Sequence, residues 1–471
     1  MKYKKIHFVG IKGVGMTSLA ILCKEAGAEV TGSDVAASFI TDAPLNKAGI
    51  TVTEDFAVDN IRGVDLVIFS GSHDGRDNVE VKKSHELNIP VMTLAVALSH
   101  VMDGELFGRK QLGITVAGTH GKTTTTALIA TVLSQNNMDP SYFIGTSEIP
   151  SLTSPGHYGS GKYAVIEADE YVNDPKYDRE AKFLKFYPDI AVITNIDYDH
   201  VDIYDSIDSL RSTFGKMIEN IMPSGVLIAF GDDLHVRKLV DGTDKKVITY
   251  GFTPKNDYFI KRVNISSGLT FFHVEGKGAD LGEFAIQIMG EHNALNALAA
   301  IIVGLEVGLS IDKIKISIKE FTGSKRRFEK KGNLESGALL YDDYAHHPTE
   351  IKKTLETFRK IYPRKKILAI FQPHTYSRTK KLFEDFLRSF IDADEVIITD
   401  IYGSKREDVD PAVTGEAIVQ RLSLTQKNVT SQKSLSDVVE YVKNRHYNED
   451  FVIVTLGAGD IYQIAPDLIK K

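Results

Sequence analysis

The sequence predicts an α/β protein of three domains. A Rossmann-like domain comes first, a central P-loop ATPase-type domain with a parallel sheet second, and a C-terminal Rossmann-like α/β domain last. Three observations predict this. The chain has 471 residues, too many for one ordinary core. Short apolar runs alternate with helix-length segments along most of it. Those runs repeatedly end in glycine-rich or polar tips, as parallel strands do beside a ligand. Polar or glycine-containing breaks set the expected domains at 1–108, 109–322 and 323–471.

The first domain opens with the apolar run Ile6 to Val9. Gly10-Ile11-Lys12-Gly13-Val14-Gly15 follows, then a helix from about Met16 to Ala26, then a strand that ends at Asp34. This is a nucleotide-binding βαβ unit, in which the loop reads phosphates and the acid reads a sugar or base edge. Gly13, Val14, Gly15, Met16 and Asp34 are its candidate ligand contacts. A dinucleotide satisfies the same physics as another nucleotide diphosphate, so an NAD-dependent oxidoreductase stays open here. Ser70 ends the apolar run from Asp65 and reads equally as a ligand contact or a polar turn. The single cysteine, Cys23, sits among Leu19, Ala20, Ile21 and Leu22 and reads as a buried thiol.

The second domain carries the stretch Gly118-Thr119-His120-Gly121-Lys122-Thr123-Thr124 between a strand, Ile114 to Ala117, and a helix. Two glycines let backbone N–H groups turn inward on an anion, and the helix N-terminus adds partial positive charge. Lys122 suits the terminal phosphates of ATP and Thr123 suits Mg²⁺. Val116 stands where a full P-loop has its first glycine. A strand ending in Glu167-Ala168-Asp169-Glu170 and another ending in Asp197-Tyr198-Asp199-His200 place acids beside this loop. Glu167 is the first candidate for Mg²⁺, which takes hard oxygen ligands. By the same hardness argument His200 reads as a base or hydrogen-bond donor. Asn293 and Asn296 share a helix face and read as caps or as adenine contacts, with capping favoured.

The third domain begins after Gly323 with the basic run Lys325-Arg326-Arg327. Such a run is usually a solvated face, yet an arginine in an interdomain segment also suits a phosphate when domains close. Strands then deliver Asp342, Asp343, His346 and His347, then His374 and Arg378, and finally Gly457 and Gly459, which read as a turn.

The net charge of −7 gives no sign of a general nucleic-acid binder. One cysteine excludes an internal disulfide and fits a reducing compartment. The basic start is followed by no signal-peptide apolar region, and no apolar run is long enough to span a bilayer. A cytoplasmic protein without membrane or nucleic-acid partners is expected, as a monomer or weak homodimer.

Together these motifs resemble the Mur ligase family, which builds the peptide stem of the bacterial cell-wall precursor. The resemblance runs the whole length. It rests on Gly118 to Thr126, Glu167 to Glu170, Asn195 to His200, His292-Asn293 with Asn296, Arg326 to Glu329 and Asp342 to Pro348. His7 to Met16, Asp343 to Ile351, Phe371 to His374 and Gly457 to Ile461 are most similar to the family's first-step enzymes. The resemblance implies ATP-dependent joining of L-alanine to the lactyl carboxylate of UDP-N-acetylmuramate through an acyl phosphate. It implies that the Gly13 loop, Gly13 to Met16, and Asp34 serve the UDP moiety rather than NAD. It implies Mg²⁺ at Thr123 and Glu167, with His200 as a second-metal ligand. It also implies adenine contact by Asn293 and Asn296, a cofactor contact at Asp343 and phosphate contact by Arg327, with His346 or Arg378 meeting the amino acid. Two departures stand out: Lys12 replaces a usual glycine and Thr375 a usual arginine. Tyr171 to Phe183 is similar to the related ligase that recycles L-Ala-γ-D-Glu-meso-diaminopimelate onto the same sugar. That ligase is one alternative, and a nucleotide-dependent switch that forms no bond is another.

Overall fold

The structure is a computed structural model that describes residues 1–403 and 407–469. Residues 404–406 and 470–471, in the third expected domain, lie outside the described residues. Three sheets follow one another along the chain, with a small separate hairpin between Val172–Asp174 and Asp178–Ala181.

The first sheet is all parallel, in the order Thr51–Thr53, Glu29–Ser33, Lys5–Val9, Leu66–Phe69, Val91–Thr93. Its central strands are apolar on both faces because helices cover both. Strand order reverses between Lys5–Val9 and Leu66–Phe69, which opens a crevice at their carboxyl ends. Gly13 caps the helix Val14–Glu25 at that crevice, so the helix starts two residues before the sequence reading places it. Cys23 is buried, and burial pushes its thiol pKa well up.

The second sheet has ten strands. Its parallel part includes Val226–Phe230, Ile190–Ile193, Leu112–Ala117, Tyr163–Glu167 and Ser141–Phe143, and an antiparallel meander from Tyr258 to Ile286 extends one edge. Leu112–Ala117 leads into the glycine-rich loop and lies between Ile190–Ile193 and Tyr163–Glu167. Helices Lys122–Gln135 and Glu291–Glu306 pack against each other. Buried Ala127, Ala130, Ala297 and Ala300 let them come close.

The third sheet runs Glu329–Asn333, Leu339–Asp343, Phe451–Leu456, Lys366–Phe371, Glu395–Ile398, Val429–Ser431. Only its first strand is antiparallel to its neighbour.

The two junctions between sheets differ in kind. The first and second share one apolar cluster, in which Ile6, Phe8 and Leu19 join Phe143, Ile166 and Phe183. Ser18 also donates to the Ile144 carbonyl at 2.7 Å. The third sheet has clusters of its own. Its seam with the second is rich in charge: Arg378 meets Asp199 at 2.8 Å, Thr349 meets Asp197 at 2.6 Å and Lys360 meets Glu291 at 2.7 Å.

A Cβ at Gly156 would lie 1.8 Å from the Ser18 carbonyl oxygen, a backbone atom that cannot rotate aside. Gly156→Ala is therefore expected to cost about 2–3 kcal/mol through overpacking. Gly215→Ala, which would meet only the Leu239 side chain at 3.6 Å in a helix, serves as the control. Calorimetric melting should show a lower midpoint for the first and an unchanged or higher one for the second.

Candidate active site

The glycine-rich loop is shaped by what it presses against. Gly118 has φ 136° and Gly121 has φ 83°. A Cβ on Gly118 would sit 2.0 Å from the Thr194 hydroxyl, and one on Gly121 would sit 2.5 Å from Asn296 Oδ1. Both positions therefore need glycine twice over, for conformation and for space. Asn195 accepts from the His120 N–H at 2.9 Å and donates to the His120 carbonyl at 2.9 Å, holding the loop from the neighbouring strand tip.

Lys122 opens the following helix. Its ammonium donates to the Gly118 and Thr119 carbonyls at 2.5 and 3.1 Å and pairs with Glu170 at 2.8 Å. Burial works to lower the Lys122 pKa, but the charges of Glu170 and Asp169 outweigh it and hold the ammonium above its ordinary value. The Thr123 hydroxyl donates to Glu167 at 2.8 Å, and the Gly145 N–H donates to the other Glu167 oxygen at 2.7 Å. Burial pushes the Glu167 carboxyl up, against the pull of that N–H and of Lys122. A buried carboxylate beside a hydroxyl fits a hard divalent cation, whose charge would offset the burial. Asp169, Glu170 and His200 form a second cluster, with ligand-type atoms within 4.8 Å of one another. There His200 Nε2 lies 3.4 Å from Glu170. Burial lowers the His200 pKa, but Asp199 and Glu170 raise it further, so the ring is held toward its charged form.

These groups open into a cavity of about 370 Å³ that all three sheets line. Gly13, Val14, Gly15, Met16 and Ser70 form the wall from the first. Thr119, Gly121, Lys122, Thr123, Glu167 and His200 come from the second, and Arg327 and His346 from the third. Arg327 stacks on Tyr344 at 4.9 Å and approaches Glu350 at 3.9 Å. Its neighbour Arg326 is buried and donates to Asp342 and to the Gly459 and Gly457 carbonyls. Arg326 is thus a structural tie as well as part of the cavity wall, which Lys325, Arg326 and Arg327 all line. His346 is pushed down to about 4 by burial and by the Arg378 charge, against Glu350 and Asp199. Its Nδ1 faces the Tyr344 carbonyl at 3.1 Å, which places the proton there and leaves Nε2 as an acceptor.

The other candidate residues stand behind this lining. Asp34 is buried and accepts from the Lys12 and Val35 N–H groups at 2.7 and 2.8 Å, so it shapes the first loop. Asp343 accepts from the Ala345 and Phe328 N–H groups, and burial raises its carboxyl to about 6 against Arg327. Arg378 is buried on Asp199. Thr124 is buried in the helix after the loop. The capping expectation for the asparagines is corrected. The helix is capped at Gly290, so Asn293 lies inside its first turn and donates back to the Met289 carbonyl at 2.8 Å. Asn296 bonds Asn293 and abuts Gly121. His120 meets Asp197 at 3.1 Å and Glu350 at 3.2 Å. Glu170 and Glu350 escaped selection in the sequence. Glu170 was one acid among several, and Glu350 stands at a position that ordinary helix capping explains.

Residues 5–105 match the Mur ligase family catalytic domain, 116–304 the Mur ligase middle domain and 326–459 the Mur ligase glutamate ligase domain. The UDP-N-acetylmuramate–L-alanine ligase of Caldanaerobacter subterraneus subsp. tengcongensis is 39% identical over 100% of this chain and 98% of its own. The chain belongs to the Mur ligase family. Among solved Mur ligases, UDP-N-acetylmuramate-alanine ligase from Thermotoga maritima aligns with a TM-score of 0.81 at 30% identity, over 98% of this chain and 97% of that one. Murein peptide ligase from Psychrobacter arcticus shares the fold, with a TM-score of 0.72 at 22% identity over 99% of this chain and 100% of that one. In this Mur ligase no helix among the described residues is long and apolar enough to cross a membrane.

The Thr123–Glu167 pair generates a test. Glu167→Gln keeps an acceptor for Gly145 and a partner for Thr123 but removes the charge. If Glu167 holds a divalent cation, the variant is expected to fold normally by circular dichroism while the Mg²⁺ needed for activity rises on the order of tenfold or more. That requirement is read from the Mg²⁺ dependence of phosphate release.

Proposed function

We propose that this Mur ligase joins L-alanine to the lactyl carboxylate of UDP-N-acetylmuramate, with ATP as the energy source. One observation carries the reading: a phosphate-binding loop, a diphosphate-type βαβ loop and a polar wall of the third domain meet in one cavity. Three substrates need three such walls. Several relatives with the name UDP-N-acetylmuramate–L-alanine ligase are 37–39% identical over nearly the whole chain, which supports this choice of substrates. The units 1–108, 109–322 and 323–471 would then bind the UDP-sugar, ATP and the amino acid respectively.

In the proposed mechanism the lactyl carboxylate attacks the γ-phosphate of ATP. An acyl phosphate forms and ADP leaves. The amine of alanine then attacks the acyl carbon, and phosphate leaves. Lys122 neutralises charge that develops on the transferred phosphoryl group, and Arg327 does so from the opposite wall. Thr123 and Glu167 would hold Mg²⁺, which supplies further charge neutralisation, with His200 at a second position. His346 is neutral near pH 7, so its Nε2 can accept a proton that the attacking amine must lose. Gly13 to Met16 present the start of a helix to the diphosphate. Asn296, set against Gly121, places an amide next to the nucleotide loop.

Phosphate release should require UDP-N-acetylmuramate and L-alanine together. Turnover with L-Ala-γ-D-Glu-meso-diaminopimelate instead would make this a recycling ligase, and hydrolysis independent of both acceptors would make it a switch. Lys122→Ala should abolish product while UDP-N-acetylmuramate binding by calorimetry survives.

A further inference from the structure

We infer that Glu350 is a positioning residue: its carboxylate ties His120 of the phosphate loop to Arg327 and His346 of the third domain, and so sets the two walls of the cavity against each other. Glu350 lies at the start of the helix Pro348–Ile361. One oxygen, Oε2, does local work. It accepts from the His346 and His347 N–H groups at 3.1 and 3.3 Å and faces His346 Nδ1 at 3.2 Å. Capping explains that oxygen. It does not explain Oε1, which turns across the domain seam. Oε1 lies 3.2 Å from His120 Nδ1 and 3.9 Å from the Arg327 guanidinium. Glu350 thus touches the phosphate loop, the cavity arginine and the cavity histidine together.

The His120 ring lies between two carboxylates of different origin. Nε2 meets Asp197 of the central domain at 3.1 Å, and Nδ1 meets Glu350 of the third. The His347 ring lies 4.9 Å from the His120 ring, its Nδ1 is 3.7 Å from Asp197, and Thr349 also donates to Asp197. With both ring nitrogens facing acids, His120 acts as a double donor, which requires its charged form. Burial opposes that charge, but Asp197 and Glu350 outweigh it and raise His120 to about 9. The link is therefore complete below the ordinary histidine value and is lost as pH rises through about 9. Because the third domain meets the central one through polar contacts, this bridge is a means by which the phosphate loop senses that the third domain is seated.

Glu350→Gln separates the two duties, because glutamine still caps a helix but carries no charge. The inference rests on the proposed reaction for its kinetic arm alone. In that arm, kcat/KM for each substrate is measured from pH 6 to 9.5. Glu350→Gln should retain the wild-type melting temperature within a few degrees and lose kcat/KM for the amino acid on the order of tenfold at pH 7. The loss should deepen toward pH 9, since His120 then titrates lower. His120→Gln should give a similar loss. The double variant should lose about as much as either single, a coupling that independent roles would not produce. The second arm needs no turnover: the His120 imidazole is titrated by NMR in labelled protein, with His120→Gln assigning the signal. A fall of the His120 pKa in Glu350→Gln supports the tie even if alanine is not the substrate. An unchanged titration together with unchanged kcat/KM across the pH range would overturn it.

Discussion

The turn from Gly118 to Gly121 is wedged between one strand tip and a helix, and the phosphate-loop groups of the site take their positions from that wedge. Thr194 and Asn195 press on one side and Asn296 on the other, close enough that neither glycine has room for a methyl group. A loop so confined cannot drift, so its N–H groups keep their direction. The neighbouring strand Tyr163–Glu167 ends level with it and delivers Glu167 onto Thr123. Parallel strands in register make this placement automatic, because adjacent carboxyl ends must open on the same edge.

Charge is the second constraint. Lys122, Asp169, Glu170, His200 and Glu167 are all crowded into one partly dry region. Each carboxylate lowers the cost of the neighbouring cation, and each cation lowers the cost of the neighbouring acid. Asp169 shows the balance: burial pushes it up, but Lys182, Lys122 and His200 together hold it well below the usual carboxylate range. Such a set, with three acids against two cations, resists reorganisation and has a net negative balance that a cation would offset. Glu167 differs from Asp169 in that burial outweighs its cationic help and raises its carboxyl, a cost that a divalent ion would offset.

The two domain junctions are held by different kinds of contact. The first domain is joined to the second through a continuous apolar cluster, and Gly156 lets backbone lie against backbone. Opening that junction would expose apolar surface to water, which is costly. The third domain meets the second largely through ion pairs and hydrogen bonds, which water can replace. The proposed reaction, which would admit substrates and then exclude water from an acyl phosphate, suits one junction of each kind.

Much of this was legible in the sequence because it is local. Period and strand tips predict three α/β units, and the phosphate loop, the Glu167 tip and the Gly13 loop each occupy a few consecutive residues whose chemistry is set by neighbours in the chain. Cys23 announced its burial in the same way. Tertiary structure alone decided which of two adjacent residues does which task. Both arginines line the cavity, but Arg326 spends its guanidinium on the Gly457 and Gly459 carbonyls while Arg327 approaches Glu350. Asp34 and Asp343 spend their oxygens on nearby backbone. Asn293 and Asn296 are not caps, because the helix begins before them and lies on the loop helix. Glu350 carries both a local and a cross-domain duty, and only the local one has a sequence spacing. The physical reason is common to all of these: a side chain's direction, and the partner that sets its charge, come from segments tens to hundreds of residues away, and no pattern within one segment records them.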